Sequence, residues 1–238
     1  MVRRTEDQAF LLHAVPHRET SLVVDLFTRE HGRLAAVAKG AKRKGSALRA
    51  VLLQFQPLAI SFTGRNELRL LTGAEWQGRQ LAPQGEALIL AFYMNELLVR
   101  LLAREDPHPQ LYDGYQAALA ALAEPGDDGA RGDEVLRRFE WLLLREAGYA
   151  PDLEYDAADQ PISPAQTYHW RAAGGFVAAE PGAAGIIEGS TLLDLAAGHF
   201  DSTASRIQAK YLTRSILAYH LDGAPLNTRQ ILLDLQKL

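Results

Sequence analysis

AFLLHAV at residues 9–15, SLVVDLFT at 21–28, RLAAVAK at 33–39, QFQPLAISF at 54–62 and ELRLLT at 67–72 decide the fold class of this 238-residue chain. Each is a short apolar-rich run, and the segments PHRET, EHG and TGRN that separate them are turn-forming breakers. That pattern predicts strands. Five short strands within about 70 residues fit a small Greek-key barrel of the OB type better than a sandwich. Residues 40–53 join the third and fourth runs, so whatever they carry lies on a connection rather than inside a strand. Phe10, Phe27, Phe55, Phe62 and Trp76 are the aromatics available here, and alternation sends several of them into the core.

Downstream of about residue 84 the apolar period becomes helical. Residues 86–104 are apolar almost all round, with Glu96, Arg100 and Arg104 spaced by four as the polar stripe of a buried central helix. Further helices are predicted at 111–123, 133–147, 191–197, 204–221 (opened by Ser202 or Thr203 as a cap) and 228–237. The segment EPGDDGARG turns the chain between the first two of these. Residues 148–189 are rich in Pro, Gly, Asp and Ala and hold one hairpin, TYHWR at 167–171 and FVAA at 176–179. The expectation is therefore an α+β chain. A five-stranded OB-type β-barrel occupies residues 1–80, and a mainly α-helical domain occupies 81–238 with an irregular hairpin-containing insert at about 148–189.

Charge divides along the same line. Residues 1–80 carry a net charge of +6 and residues 81–238 a net charge of −10, which together give the formal −4 of the chain. Between Glu30 and Glu67 there is no acid but seven bases: Arg33, Lys39, Lys42, Arg43, Lys44, Arg49 and Arg65. Such a run is expected where a polyanion docks, because each neutralised phosphate releases counterions. The competing reading is a solvated loop without a ligand. In the acidic half, Arg206, Lys210 and Arg214, spaced by four, form a basic stripe suited to phosphate or an acidic peptide, unless they pair with that half's own acids. On the helix at 133–147, Arg137, Trp141 and Leu144 share one face.

The chain contains no cysteine. That removes disulfides, thiolate catalysis and cysteine zinc sites, and it is compatible with the cytosol. No stretch approaches the length a membrane helix needs, and MVRRTEDQ has no apolar signal core, so a soluble protein without a membrane partner is expected. GAKRKGS at 40–46 imitates a phosphate loop, but Ser46 stands where that loop needs lysine. The seven histidines, at 13, 17, 31, 108, 169, 199 and 220, show no zinc-ligand spacing. No nucleophile elbow and no acidic pair beside a base is present. These readings predict no catalytic residue, no metal and no cofactor, and move the weight to binding.

The residues that remain resemble a known family. Glu19-Thr20-Ser21-Leu22, Asp25, Phe27, Thr28, Gly32, VAKGAKR at 37–43, Pro57, Leu58, Gly64, Arg65 and Glu67 carry the likeness in the first part. NELL at 95–98, LRRFE at 136–140, Gly148, Tyr149, Pro225, Leu226 and Arg229 carry it in the second. In order and over nearly the whole chain this resembles the bacterial DNA repair and recombination mediator RecO. The resemblance implies an N-terminal OB barrel and a helical C-terminal domain. It also implies binding and annealing of single-stranded DNA, contact with double-stranded DNA, and a cytoplasmic, nucleoid-associated place of work. With the partner RecR, such a protein helps RecA, indirectly, to replace single-strand-binding protein. Many relatives carry a four-cysteine zinc ribbon where this chain has residues 148–189, so the chain looks like the zinc-free branch. In that branch the acidic, Phe-ending tail of single-strand-binding protein docks on the helical domain, and Arg137 is the position the resemblance carries over for it. Two other readings stand beside this one: a structural adaptor whose basic connection meets an acidic protein, and a nuclease or other enzyme with an unrecognised site.

Overall fold

The protein is described by a computed structural model covering residues 4–78, 81–124, 129–179, 185–198, 202–228 and 230–231. The predicted turn at 124–132, the insert, His199, Arg229 and the helix expected at 228–237 therefore lie wholly or partly outside the described residues.

Five strands, β1 (Thr5–His17), β2 (Ser21–Thr28), β3 (Gly32–Ala38), β4 (Pro57–Thr63) and β5 (Leu68–Trp76), close into a barrel in the order β1-β2-β3-β5-β4. All pairings are antiparallel except β3 with β5, which is parallel. This is the OB-type barrel that the five apolar runs predict. Alternation fills it: Ala9, Leu11, Val24, Leu26, Leu34, Ala36, Leu58, Ile60 and Phe62 form the interior. Phe10 and Phe27 point the other way, yet both are fully buried because α3 (Pro109–Ala123) covers them. The Tyr112 and Tyr115 rings of α3 lie 5.3 and 5.1 Å from that of Phe10.

A bulge couples the barrel to α2 (Glu86–Leu101). The β1–β2 register slips between Leu11 and His13, so Leu12 has no partner in that ladder. Its carbonyl instead accepts hydrogen bonds from Gln54 Nε2 at 2.5 Å and from Asn95 Nδ2 at 3.1 Å. Tyr115 completes the chain by donating its hydroxyl to Asn95 Oδ1. Gly32 shows a second close approach. Its φ is +65°, and a Cβ there would lie 2.0 Å from the Asp106 carbonyl oxygen. The segment after α2 is stitched to β3 at that point by Glu105 N–H donating to the Arg33 carbonyl at 2.9 Å.

The compact units accordingly do not divide where strand gives way to helix. One comprises Met1–Asp127 with Leu226–Leu238, the other Asp128–Pro225. The buried faces of α2 and α3 belong with the barrel. So does the helical backbone that begins at Asn227, where the Glu96 carboxylate accepts the N–H groups of Asn227 and Thr228, each at 2.9 Å.

The second unit contains α4 (Gly129–Glu146), a small sheet of β6 (Thr167–Arg171), β7 (Gly175–Ala178) and β8 (Ile187–Glu188), α5 (Gly189–Ala197) and α6 (Thr203–His220). β6 and β7 form the predicted hairpin. Ser202 caps α6 by accepting the Ser205 N–H at 2.9 Å. Leu136, Phe139, Leu143, Tyr168, Phe176, Ile187, Leu192, Leu212 and Ile216 are among its buried apolar residues.

Candidate nucleic-acid interface

The basic connection is built from two turns and a short helix. Gly40 (φ +69°) and Gly45 (φ +82°) take left-handed conformations that side-chain-bearing residues rarely adopt. Between them Arg43 N–H donates to the Gly40 carbonyl and Ser46 N–H to that of Arg43, at 3.0 and 3.1 Å. Helix α1 (Ala47–Val51) follows; Leu48 and Val51, with Leu52 behind them, pack onto the barrel interior. The helix thus seats on one end of the barrel with Arg49 turned to solvent. Lys39, Lys42, Arg43, Lys44 and Arg49 are all exposed, and none is ion-paired with a described residue.

Two features here could not be read from the run of bases. Lys42 N–H donates to the Thr20 carbonyl at 2.9 Å, tying the connection to the β1–β2 turn and bringing the exposed Arg18 to the same end of the barrel. Trp76, at the end of β5, is 50 % exposed. Its indole Nε1–H donates to the Val51 carbonyl at 2.9 Å, so the ring lies beside α1.

Arg65 and Arg33 part from that group. Arg65 is exposed in the β4–β5 turn. Because β5 runs parallel to β3 with Ala35 opposite Leu68, Arg65 sits toward the Gly32 end, about 20 Å of strand from Lys39. Arg33 faces inward beneath α2: its Nη1 donates to the Val99 carbonyl at 2.5 Å and lies 3.6 Å from Asp25. Asp25 also lies 3.5 Å from Arg104. Burial pushes the Asp25 carboxyl above its ordinary value despite Arg33, Arg104 and His13, and burial draws the Arg33 guanidinium down. Desolvation therefore outweighs the attraction across 3.6 Å, and Arg33 belongs to the packing between β3 and α2. Sequence reasoning grouped it with the surface bases because charge alone carries no burial.

In the second unit the expected partner-binding residues also separate. Arg137 is 2 % exposed and Glu140 is fully buried. Arg137 Nη1 donates to Glu140 Oε2 and, at 2.9 Å, to Thr213 Oγ1, whose own hydroxyl donates to Glu140 at 2.8 Å. Arg137 is thus a cross-link between α4 and α6, enclosed rather than facing solvent. Trp141 is half-buried beside it on α4. Lys210 pairs with Asp133 at 2.7 Å, one of the acids of its own unit. Arg206 lies on α6 next to the exposed Ile207, which is itself four residues before the exposed Tyr211, and Arg214 is exposed further along.

The segment at 148–189 does not fit a zinc ribbon. Among the described residues no group of three or more His, Cys, Asp or Glu could hold a metal ion. Side-chain turns shape it instead: Asp152 Oδ1 accepts the Glu154 and Tyr155 N–H groups, and Asp156 Oδ1 those of Ala158 and Gln160. Tyr168 anchors it from below by accepting the Ser163 N–H at 2.8 Å. No described helix is long and apolar enough to cross a membrane.

Comparison with known proteins agrees with this architecture. The family model described as "Recombination protein O N terminal" matches residues 1–78, and "Recombination protein O C terminal" matches residues 82–230. A protein named DNA repair protein RecO from Ralstonia nicotianae is 47 % identical over 239 residues, which cover 99 % of this chain and 86 % of that one. The namesake from Nitrosospira multiformis is 46 % identical over 240 residues, 99 % of this chain and 98 % of its own. That of Polynucleobacter asymbioticus is 43 % identical over 241 residues, 100 % of this chain and 99 % of its own. A barrel with a basic connection, a helical second unit and likeness along the full chain converge on one assignment: the chain belongs to the DNA repair protein RecO family.

Proposed function

We propose that this protein acts in DNA repair and homologous recombination as a mediator that binds and anneals single-stranded DNA, touches double-stranded DNA through the same cations, and has no catalytic step of its own. The observation that carries the reading is the cluster of five exposed cations, Lys39, Lys42, Arg43, Lys44 and Arg49, none paired with a described acid, on a connection pinned to the barrel. Annealing brings two polyanions together, and cations that displace counterions from both strands lower that barrier without reading bases. With RecR the protein would then help RecA replace single-strand-binding protein. The acidic tail of that protein would dock on the helical unit, where Arg206 precedes the exposed Ile207 and Tyr211 follows Ile207 by one turn, a cation near apolar surface. Arg137 would reach such a tail only if its enclosure with Glu140 and Thr213 opened.

The test is a salt series. Replacing Lys42, Arg43 and Lys44 by alanine should leave folding intact, with changes near the surface norm of about 0.5 kcal/mol per site. The slope of log K against log salt for a labelled single-stranded oligonucleotide should become shallower by about 0.7 for each phosphate no longer neutralised, irrespective of sequence. Superimposable slopes for wild type and triple variant would remove the connection from the interface.

A further inference from the structure

We propose that Trp76 is a stacking platform for a single nucleobase, and that it gives the basic connection a preference for unpaired strands. The inference rests on the reading of the connection as the DNA interface. Phosphate contacts alone do not tell one strand from two, since every strand carries them. A flat aromatic face does, because bases inside a duplex are already stacked on their neighbours.

Three observations single out this ring. Half of Trp76 is exposed although it ends a barrel strand, whereas Phe10, Phe27, Phe55 and Phe62 are buried. The ring is also fixed: its backbone is held by pairing with Leu58 and by Gln77 N–H donating to the Pro57 carbonyl at 2.8 Å, and its indole N–H by the Val51 carbonyl. A platform already immobilised loses little freedom when a base lands on it. Finally, its neighbourhood is cationic on the relevant side. Val51 ends the helix that carries Arg49 and follows Lys42, Arg43 and Lys44, while the adjacent Glu75 points to the opposite face of β5. A strand whose phosphates follow those cations passes the ring.

The alternative role for the indole is to satisfy the Val51 carbonyl at the end of α1 and nothing else. Trp76→Phe separates the two, since it keeps an aromatic face but loses the N–H donor, whereas Trp76→Ala loses both. Affinities of the full chain for a labelled oligo(dT) and for a duplex of the same length are measured at one salt concentration, with far-ultraviolet circular dichroism to confirm folding. Stacking predicts that Trp76→Ala binds oligo(dT) about 5- to 150-fold more weakly, the span of one base–aromatic stack. Duplex affinity should stay within about twofold and the salt slope should not change, because stacking releases no counterions. Trp76→Phe should retain most of the oligo(dT) affinity. Intrinsic fluorescence should be quenched by oligo(dT) in the wild type, with most of that quenching absent from Trp76→Phe, which keeps Trp141 and Trp170. Equal losses in the Phe and Ala variants, equal losses on single strand and duplex, or undiminished quenching in Trp76→Phe would each overturn the proposal. The Lys42, Arg43, Lys44 triple variant run alongside keeps the two readings apart. If it leaves both DNA forms bound as before, the connection is not the interface; if it weakens both while Trp76→Ala weakens neither, only the stacking role falls.

Discussion

Replacing Arg137 by methionine should cost far more stability than a helix-surface arginine normally carries. Arg137 and Glu140 are 2 % and 0 % exposed, and Thr213, the third member, is fully buried as well. Methionine fills much of the arginine stem's volume but removes the Arg137 guanidinium from the enclosed Glu140 carboxylate, a loss on the order of 3–5 kcal/mol. At about 2–4 °C per kcal/mol for a chain of this size, thermal unfolding should move down by about 6–20 °C. The informative control is the triple replacement Arg137→Met, Glu140→Leu, Thr213→Val. It removes the charges together and should return to within about 1 kcal/mol of wild type, because apolar groups of similar volume commonly substitute for a buried ion pair. Urea titrations followed by circular dichroism give both numbers. A single variant that loses less than about 1 kcal/mol, or a triple variant as unstable as the single one, would refute the enclosed-pair reasoning. The same pair of proteins separates stability from recognition. If an acidic tail peptide still binds the stable triple variant normally, Arg137 holds α4 to α6 and does not meet the tail; a drop of about 1.5–3 kcal/mol in tail binding by that variant would place it in the tail's binding surface.

Two further perturbations follow from geometry. Gly32→Ala forces a Cβ to within 2.0 Å of the Asp106 carbonyl oxygen at a φ of +65°, so strain and overpacking together should remove about 2–5 kcal/mol in a urea titration, and a loss below about 1 kcal/mol would contradict the close approach. Burial alone would raise the Glu96 carboxyl, but the N–H groups of Thr228 and Asn227, the Thr228 hydroxyl and Arg100 outweigh it and hold the group below its ordinary value. A depressed carboxyl stabilises the fold fully above its unfolded value, about pH 4.3, and that contribution fades as pH falls through the lower folded value. Glu96→Gln should therefore lose about 1–2 kcal/mol at neutral pH and show a flatter acid limb than wild type; parallel limbs would show that the carboxylate does not cap the segment at Asn227.

The barrel was legible because its signals are local. Five apolar runs, each closed by Gly, Pro, Asn or a charged turn, are enough to specify strands, and the acid-free span marks the connection without knowledge of its shape. What escaped depends on pairing across distance. Asp25 and Arg33 occupy diagonal positions of the β2–β3 ladder, Asp25 opposite Ala35, and α2 closes over them, so the run of bases overstated the surface charge by one. The Leu12 bulge is a register slip that alternation cannot show, yet it turns the carbonyl that Asn95 reads. Similarly, Arg137 looks like an exposed helical arginine in LRRFE until Thr213 arrives from α6. α1 was missed for a different reason: five residues are too few for a helical period to register, and only seating on the barrel interior holds them.

Barrel closure also has a temporal side. The first three strands are complete once Ala38 has left the ribosome, but β4 and β5, which satisfy the remaining edges of β1 and β3, end only at Trp76. At about 5–20 residues per second the nascent chain spends about 2–8 s as an open meander, with two unpaired ladders and an apolar concave face of Leu26, Leu34 and Ala36. Such edges invite pairing with neighbouring nascent chains on a polysome. The residues that emerge during this interval begin with Lys39, Lys42, Arg43, Lys44 and Arg49 and contain no acid before Glu67. Like charges of that density repel their counterparts on adjacent chains, which is how charged gatekeepers beside sticky strands limit association. The stretch proposed above to meet phosphate in the finished protein would thereby also hold unfinished copies apart.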